Sequence, residues 1–218
     1  MAKKKNISKN DIIAFYMDHV LEHNAEPTSV YKFAKNNNFE EAKFYAHFGN
    51  LDAVEKEVFK AFFDHTHKAL EASKEYGAFT SRNKLLSFYF TFFENLTANR
   101  SYVLHALHKD KNKLKTLSLL SELKTAFHQY IEDLEIEVLD VKQKQLENLQ
   151  KKGLKDTAWL QLLLALKFWI DDSSPSFEKT DIFIEKSVNA SFDVLDILPV
   201  KSIIDLGKFI FKEKIQTT

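Results

Sequence analysis

The sequence predicts an all-α protein, and its composition gives the main reasons. Its 218 residues include 4 Gly and 3 Pro, too few for the many tight turns of a sheet built from hairpins. Hydrophobic residues make up 44% and charged residues 28%, a balance typical of folded domains. The 20 Phe indicate either a bulky core or a lined cavity, and composition leaves both open.

Several kinds of site and location are disfavoured by the same composition. The chain has no Cys, which excludes disulfides and thiolate chemistry. Its basic start lacks the apolar run of a signal peptide, and no stretch of about 18 uncharged apolar residues could span a bilayer. We therefore expect a cytoplasmic protein. The net charge of zero favours neither a nucleic-acid nor an acidic partner.

Three helices are predicted in residues 1–51, which we expect to form the first domain. Ser8 can cap the first helix, and Asp11 suits the dipole of its first turn. Residues 36–38, all Asn, predict a tight turn, because Asn tolerates the left-handed conformation. Gly49 stands where a C-cap is expected. A longer helix followed by two short helices and a tight turn is typical of a helix-turn-helix. The predicted helices span residues 8–23, 29–35 and 39–48.

The remaining residues, 52–218, predict a larger helical domain. Gly77 and Gly153 are expected to break it, residues 171–175 form the clearest loop, and Pro199 is expected to open a last helix. Residues 154–170 are apolar nearly all round, which requires cover on more than one side. The predicted helices span residues 52–73, 83–98, 101–108, 113–151, 154–170, 177–196 and 199–214.

The stretch TSVYKFAKNNNFEEAKFYAHFGNLDAV, residues 28–54, resembles the helix-turn-helix of TetR-type regulators. Phe33-Ala34 occupies the Ile-Ala pair of that pattern, Phe44-Tyr45 its Leu-Tyr pair, and His47-Phe48 its His-Phe pair. The resemblance implies a TetR-like fold and a DNA-binding role in which Tyr45 and His47 approach the phosphates. The candidate DNA-binding residues are Thr28, Glu40, Glu41, Lys43, Tyr45 and His47.

The charges of this region weaken the DNA-binding interpretation. Residues 1–60 hold nine Lys, no Arg and nine acidic residues, a net charge of zero, whereas duplex affinity comes largely from cations. Glu40 and Glu41 repel phosphates unless they read cytosine amino groups. Leu51 replaces a Lys of the family pattern. Lys43 and the N-terminal lysines, Lys3, Lys4, Lys5 and Lys9, favour DNA.

The same resemblance implies a ligand pocket in the middle helices. Phe88, Phe92, Phe93 and Leu96 would line it, and Tyr102, His105 and His108 would supply polar anchors for a small apolar or lipid-like guest. The alternative is that these rings meet each other and leave no cavity.

Dimerisation through late helices is also implied by the resemblance. The candidate residues of this homodimer interface are Leu163, Leu166, Trp169 and Phe183. The alternative is that they fill the core of the monomer, and the sequence does not separate the two.

Residues 164–188 are also similar to the lipid-binding proteins of ubiquinone biosynthesis, which are built on the TetR fold. This resemblance implies an apolar pocket, loss of DNA binding, and peripheral membrane contact through an amphipathic last helix, here residues 199–214. The matching residues are Asp172, Ser174, Pro175, Phe177, Thr180 and Phe183.

Catalytic and metal-binding patterns are not found. His19 and His23, and likewise His105 and His108, have the spacing of one helix face, but no H-E-x-x-H motif or third ligand accompanies them. We therefore expect no metal, no cofactor and no enzymatic activity. The sequence favours a TetR-family-like regulator that binds DNA as a dimer and responds to an apolar ligand. The alternative is a lipid-binding accessory protein on the same fold that has lost DNA binding.

Overall fold

The computed structural model describes residues 7–110, 112–136 and 144–197. This part of the chain contains ten α-helices and no strand, which confirms the all-α prediction. Short 3-10 turns at Tyr76–Ala78 and Pro175–Phe177 precede two of the helices. The helices are α1 (Lys9–His23), α2 (Val30–Asn36), α3 (Glu41–Tyr45), α4 (Leu51–Glu71), α5 (Ser81–Ala98), α6 (Arg100–His108), α7 (Lys113–Leu119), α8 (Ser121–Asp133), α9 (Lys144–Asp171) and α10 (Glu178–Ile197).

Side-chain caps fix where the first helices begin. The Ser8 hydroxyl accepts from the Asp11 amide at 3.2 Å, and the Asp11 carboxylate accepts from the Ser8 amide at 2.8 Å. This reciprocal capping box satisfies two amides that the first turn of a helix leaves unpaired. Ser29 caps α2, and Asn50 caps α4 by accepting from the Ala53 amide at 2.8 Å. The predicted starts of α1 and α2 are thereby confirmed.

Two glycines do not have the roles predicted for them. Helix α3 ends at Tyr45 and its C-cap is Ala46, so Gly49 is not its C-cap. Gly153 lies inside α9, a helix of 28 residues. A single Gly costs a helix only about 1 kcal/mol relative to Ala, which is too little to end a long one.

The segment 113–151, predicted as one helix, is divided. Helix α7 ends at Leu119, α8 begins at Ser121, and α9 begins at Lys144. The apolar periodicity continues past Leu120, which is why the sequence pattern does not reveal this break. The predicted helix 199–214 and the lysines at positions 3–5 lie outside the described residues.

The helices group into two compact units. Unit 1 contains residues 1–78 and 87–130, and unit 2 contains residues 79–86 and 131–218, in each case as far as they are described. The predicted domain boundary after residue 51 does not coincide with the limits of either unit and stays a prediction. Helix α4 packs against α1 inside unit 1, so it belongs to the same unit as the helix-turn-helix.

The two units have different cores. Aromatic rings dominate unit 1, where Phe88 and Tyr89 are fully buried. Aliphatic residues and two indoles, those of Trp159 and Trp169, dominate the buried part of α9 in unit 2. In this unit Leu162, Trp169 and Ile184 are almost completely buried. Large apolar groups removed from water in this way provide most of the favourable free energy of folding.

Candidate nucleic-acid interface and ligand sites

The helix-turn-helix is held together by three phenylalanines. Phe33, Phe39 and Phe44 are 1%, 2% and 0% exposed. The Phe33 ring meets the Phe39 ring edge-on at 5.7 Å and the Phe44 ring edge-on at 6.2 Å, an arrangement favoured by the ring quadrupole. Asn38 has φ of 56° in the turn between α2 and α3, a conformation that Asn adopts more readily than most residues.

The other side of α3 faces solvent. Tyr45 is 54% exposed, and Lys43 and His47 are also exposed. The Tyr45 hydroxyl lies 3.5 Å from the Glu41 carboxylate, one helical turn earlier. Glu40 and Thr28 are exposed as well. The structure thus brings the six predicted DNA-binding residues to the helix-turn-helix, while their role stays a prediction.

Two further lysines on this motif were missed by the sequence reasoning. Lys32 and Lys35 are exposed on α2, whose buried residues are Phe33 and Ala34. Neither they nor Lys43 has an ion-pair partner among the residues that the structure describes, whereas the Lys9 ammonium lies 2.6 Å from Glu57. The three-residue spacing of Lys32 and Lys35, beside the buried Phe-Ala pair, was the signal available in the sequence.

The predicted ligand-binding residues lie mostly in the core of unit 1. Phe88, Phe92, Phe93, Leu96 and Tyr102 are at most 3% exposed, His105 is half-buried and His108 is exposed. The Phe88 ring lies 4.7 Å from the Tyr130 ring, 5.4 Å from Phe92 and 5.5 Å from Phe127. These contacts match the alternative to a pocket, in which the rings pack against each other.

A charged cavity of about 510 Å³ also lies within unit 1. The Lys109 ammonium, at the end of α6, donates to Glu26 and, at 2.6 Å, to Glu55 of α4. Burial raises the pKa of the Glu55 carboxyl, and its bond with Lys109 opposes that change. Burial also raises the pKa of the nearby Tyr16 and Tyr102 phenols far above their usual range, so both stay protonated. This cluster links α6 and α4 to the turn after α1.

An apolar groove lies within unit 2, beside α9 and α10. Its volume is about 490 Å³, and none of the described residues that line it carries a charge. Leu85, Leu154, Ala158, Phe192 and Leu195 form much of its apolar wall. The sequence reasoning did not identify this groove, because its lining comes from distant segments and includes small residues.

Comparison with known protein families gives a match over more than half of the chain. Residues 84–210 match the model described as "Tetracyclin repressor-like, C-terminal domain". The chain belongs to the TetR family. No curated protein matches it. The match spans α5 to α10, so it is independent of the N-terminal helix-turn-helix resemblance, and together they confirm the predicted TetR-like fold.

The late helices of this TetR-family chain expose an apolar stripe. Leu160, Leu164 and Phe168 follow each other at intervals of four on α9, and they are 56%, 51% and 37% exposed. Ile182 of α10 is 50% exposed, and Phe183 stacks on Phe168 with ring centroids 4.7 Å apart. We call Leu160, Leu164, Phe168 and Ile182 the outer stripe.

The predicted dimer residues lie at different depths relative to the outer stripe. Leu163 and Phe183 are half-buried and border it. Leu166 and Trp169 are only 6% and 0% exposed, so within unit 2 they have the core position of the alternative. The helical period explains this difference, because positions 162, 165, 166 and 169 share the inner face of α9.

A carboxylate organises the corner between α9 and α10. Asp172 accepts from the Ser174 amide and hydroxyl at 2.8 and 2.7 Å, and from the Thr180 amide and hydroxyl at 2.9 and 2.7 Å. Burial disfavours its charge, but these four bonds outweigh burial and hold the pKa of Asp172 well below its usual range. Three residues of the second resemblance thus have a structural role, as an N-terminal cap of α10.

Metal binding and membrane insertion find no support in the described part of the chain. No group of three or more His, Asp or Glu there has an arrangement that could hold a metal ion. No helix within the same residues combines the length and the apolarity needed to cross a bilayer. The predicted membrane contact of residues 199–214 lies outside the described residues.

Proposed function

We propose that this TetR-family chain is a transcriptional regulator that binds DNA as a homodimer and responds to an apolar ligand. The observation that carries the proposal is the set of exposed lysines on the helix-turn-helix that form no ion pair with any described residue. Lys32, Lys35 and Lys43 are exposed on the same motif as Tyr45 and His47. Such cations can neutralise phosphates, and tyrosine and histidine side chains can position the backbone of the duplex.

The strength of DNA binding follows from the charges on this surface. Glu40 and Glu41 lie at the start of α3, next to where phosphates would approach, and they reduce the attraction provided by the three lysines. We therefore expect weak binding with a strong dependence on salt. In a dimer each lysine counts twice, so loss of one should lower the slope of log K against log salt by about 2.

The outer stripe supports the homodimer. Four large apolar side chains on two packed helices remain exposed in the monomer, which is unfavourable in water. A twofold axis brings the same surface of both copies together, so the apolar stripe of one copy would contact the apolar stripe of the other. Two helices from each copy would then form a four-helix interface.

DNA binding can be tested by fluorescence anisotropy with a labelled duplex from upstream of the gene, over a series of salt concentrations. We expect Lys43→Ala to weaken binding and to lower the salt slope. Lys74→Ala is the matched control, because Lys74 is exposed in the turn after α4, outside the helix-turn-helix. Equal losses in both variants would contradict a specific role for the α3 surface.

A lipid-binding accessory protein without DNA activity is the second candidate. Glu40 and Glu41 favour it, as does the groove of unit 2, whose described lining carries no charge. Under this proposal the wild-type protein gives no anisotropy change at about 50 mM salt, and Glu40→Ser with Glu41→Lys creates non-specific binding that was absent before. A clear signal from the wild type would instead support the regulator.

The dimer can be tested by sedimentation velocity at micromolar concentration. We expect a dimer for the wild type and a monomer for the double variant Leu160→Glu, Leu164→Glu. Leu114→Glu is the control, because Leu114 is 76% exposed on α7 of unit 1 and lies outside the outer stripe. A wild type that sediments as a monomer would remove the interface from the proposal.

A further inference from the structure

The side of α3 that faces away from the core carries three different kinds of side chain. Phe44 is 0% exposed and anchors the helix. Ala42 is exposed and lies about 200° round the helix from Phe44. Glu41 and Lys43 lie on its two sides, each about 100° from it. On this face a methyl group is therefore flanked by one carboxylate and one ammonium group.

The Glu41 carboxylate has a single partner among the described residues. It accepts a long hydrogen bond from the Tyr45 hydroxyl at 3.5 Å, and it forms no ion pair with Lys43 or with any other described cation. Because Tyr45 lies one turn later on the same side of α3, this contact restrains the carboxylate beside Ala42. A carboxylate has about four lone-pair sites, so one hydroxyl leaves most of them available.

A carboxylate on a DNA-binding surface discriminates between base sequences. It is repelled by the phosphates of every duplex, whatever the sequence. In the major groove it pairs with the N4 amino group of cytosine, which donates and has no acceptor beside it on its own base. Adenine also presents an amino group, but the neighbouring N7 acceptor repels a carboxylate. Glu41 therefore disfavours sequences without cytosine at the facing position, and such a difference in affinity is what specificity requires.

We propose that Glu41 sets the sequence preference of this protein by accepting a hydrogen bond from a cytosine amino group in each half-site. The N-terminal residues of a recognition helix are those that reach base edges, and Glu41 is the first residue of α3. The small side chain of Ala42 allows the helix to approach the bases closely, while Lys43 is available for a phosphate. The proposal names the DNA sequence class for the DNA binding proposed above and rests on it in that respect.

The proposal can be tested by selecting duplexes from a randomised pool with the full chain, at about 50 mM salt, and sequencing those that bind. For the wild type we expect one position in each half-site at which cytosine is strongly enriched. Glu41→Gln should enrich adenine at the same position, because a glutamine amide pairs with N6 and N7 of adenine. Glu22→Gln is the matched control, since it removes the same charge from an exposed position on α1, and it should select the wild-type sequence.

Anisotropy of labelled duplexes then measures the size of the discrimination. An A·T pair in place of the selected cytosine pair, in both half-sites, should weaken wild-type binding about fivefold or more. Glu41→Ala should reduce this ratio of affinities to less than about twofold, chiefly by binding the A·T duplex more tightly, because the repulsion is removed. A purely structural role of Glu41 would weaken binding to both duplexes equally and leave the ratio unchanged. Glu41→Gln keeps an acceptor for the Tyr45 hydroxyl, so its thermal melt should match that of the wild type.

The outcomes separate this proposal from the regulatory function. If the wild type enriches no sequence and no duplex changes the anisotropy, the protein does not bind DNA, and both proposals are contradicted. If the wild type binds DNA without an enriched cytosine, or if Glu41→Gln selects the same bases as the wild type, the regulator stands and the role of Glu41 is overturned.

Discussion

The aromatic cluster of unit 1 and the groove of unit 2 contrast in how side-chain size relates to empty space. Phe88 sits among large rings that contact each other at 4.7 to 5.5 Å. The groove instead passes Gly153, Ala158 and Ala190. Big side chains fill a core, and small ones leave room in it. A region rich in phenylalanine is therefore a poor guide to a cavity, and a glycine inside a helix is a better one.

Among the tests of this contrast, Phe88→Ala should have the largest effect. Because the ring is fully buried and surrounded by other rings, we expect a loss of about 3–5 kcal/mol in the free energy of unfolding. Urea denaturation at neutral pH measures it. Phe90→Ala on the same helix is the control, since Phe90 is 38% exposed, and it should cost less than about 1 kcal/mol. Similar losses for both would mean that the cluster is not tightly packed.

A second test uses the polar corner between α9 and α10 in unit 2. There the hydrogen bonds of a carboxylate, rather than the packing of rings, hold the chain in place. Asp172→Asn should lower the free energy of unfolding at pH 7, because an amide cannot accept all the hydrogen bonds that the carboxylate accepts. The pKa of Asp172 is lowered in the folded state, so its carboxylate stabilises the fold above the unfolded pKa of about 4. That contribution is lost as the pH falls below about 4.

Urea titrations of both proteins at pH 7 and at about pH 3 measure this effect. The difference in the free energy of unfolding between the wild type and Asp172→Asn should be smaller at the lower pH. The corresponding difference for Phe88→Ala should stay the same, because a phenylalanine does not titrate. If Asp172→Asn lowers the free energy of unfolding by the same amount at both pH values, the proposed role of the charged cap is contradicted.

The smallest expected effect is an increase in the free energy of unfolding. Gly153→Ala adds a methyl group to a helix interior where it meets nothing within 4 Å, so the free energy of unfolding should rise by up to about 1 kcal/mol. Thermal melting followed by far-ultraviolet circular dichroism is sufficient to detect it. A lower melting temperature would mean that the space beside Gly153 is occupied, and it would weaken the contrast with unit 1.

The fold was predictable from sequence wherever local chemistry decides it. Ser8 and Ser29 mark the helix starts because their hydroxyls satisfy free amides, and Asn38 marks the turn because it tolerates positive φ. The ends of the helices were less predictable. A helix can pass through Gly153 at a small cost, and it can break near Leu120 without any change in apolar periodicity.

The candidate sites were less predictable, because they depend on packing between distant segments. The exposed residues of α3 follow from the TetR pattern. To predict that Trp169 is buried and Leu164 exposed, one must know which face of α9 packs against its neighbours. To predict the groove, one must know which helices pack together. No local pattern reports whether the Phe88 ring meets other rings or empty space, because residue volume is the same in both cases.

The ionic link from Lys109 to Glu26 has a consequence for how the protein is made. These residues are separated by 83 positions, and unit 1 also joins Tyr76 to Tyr130 through their hydroxyls at 2.9 Å. On the ribosome, the N-terminal helices emerge well before these partners. Unit 1 can be completed only after Tyr130 has been synthesised, since contacts between distant residues form late. A chimera that exchanges the helix-turn-helix at residue 51 would separate Glu26 from Lys109, so the new partner should supply a carboxylate at the same place.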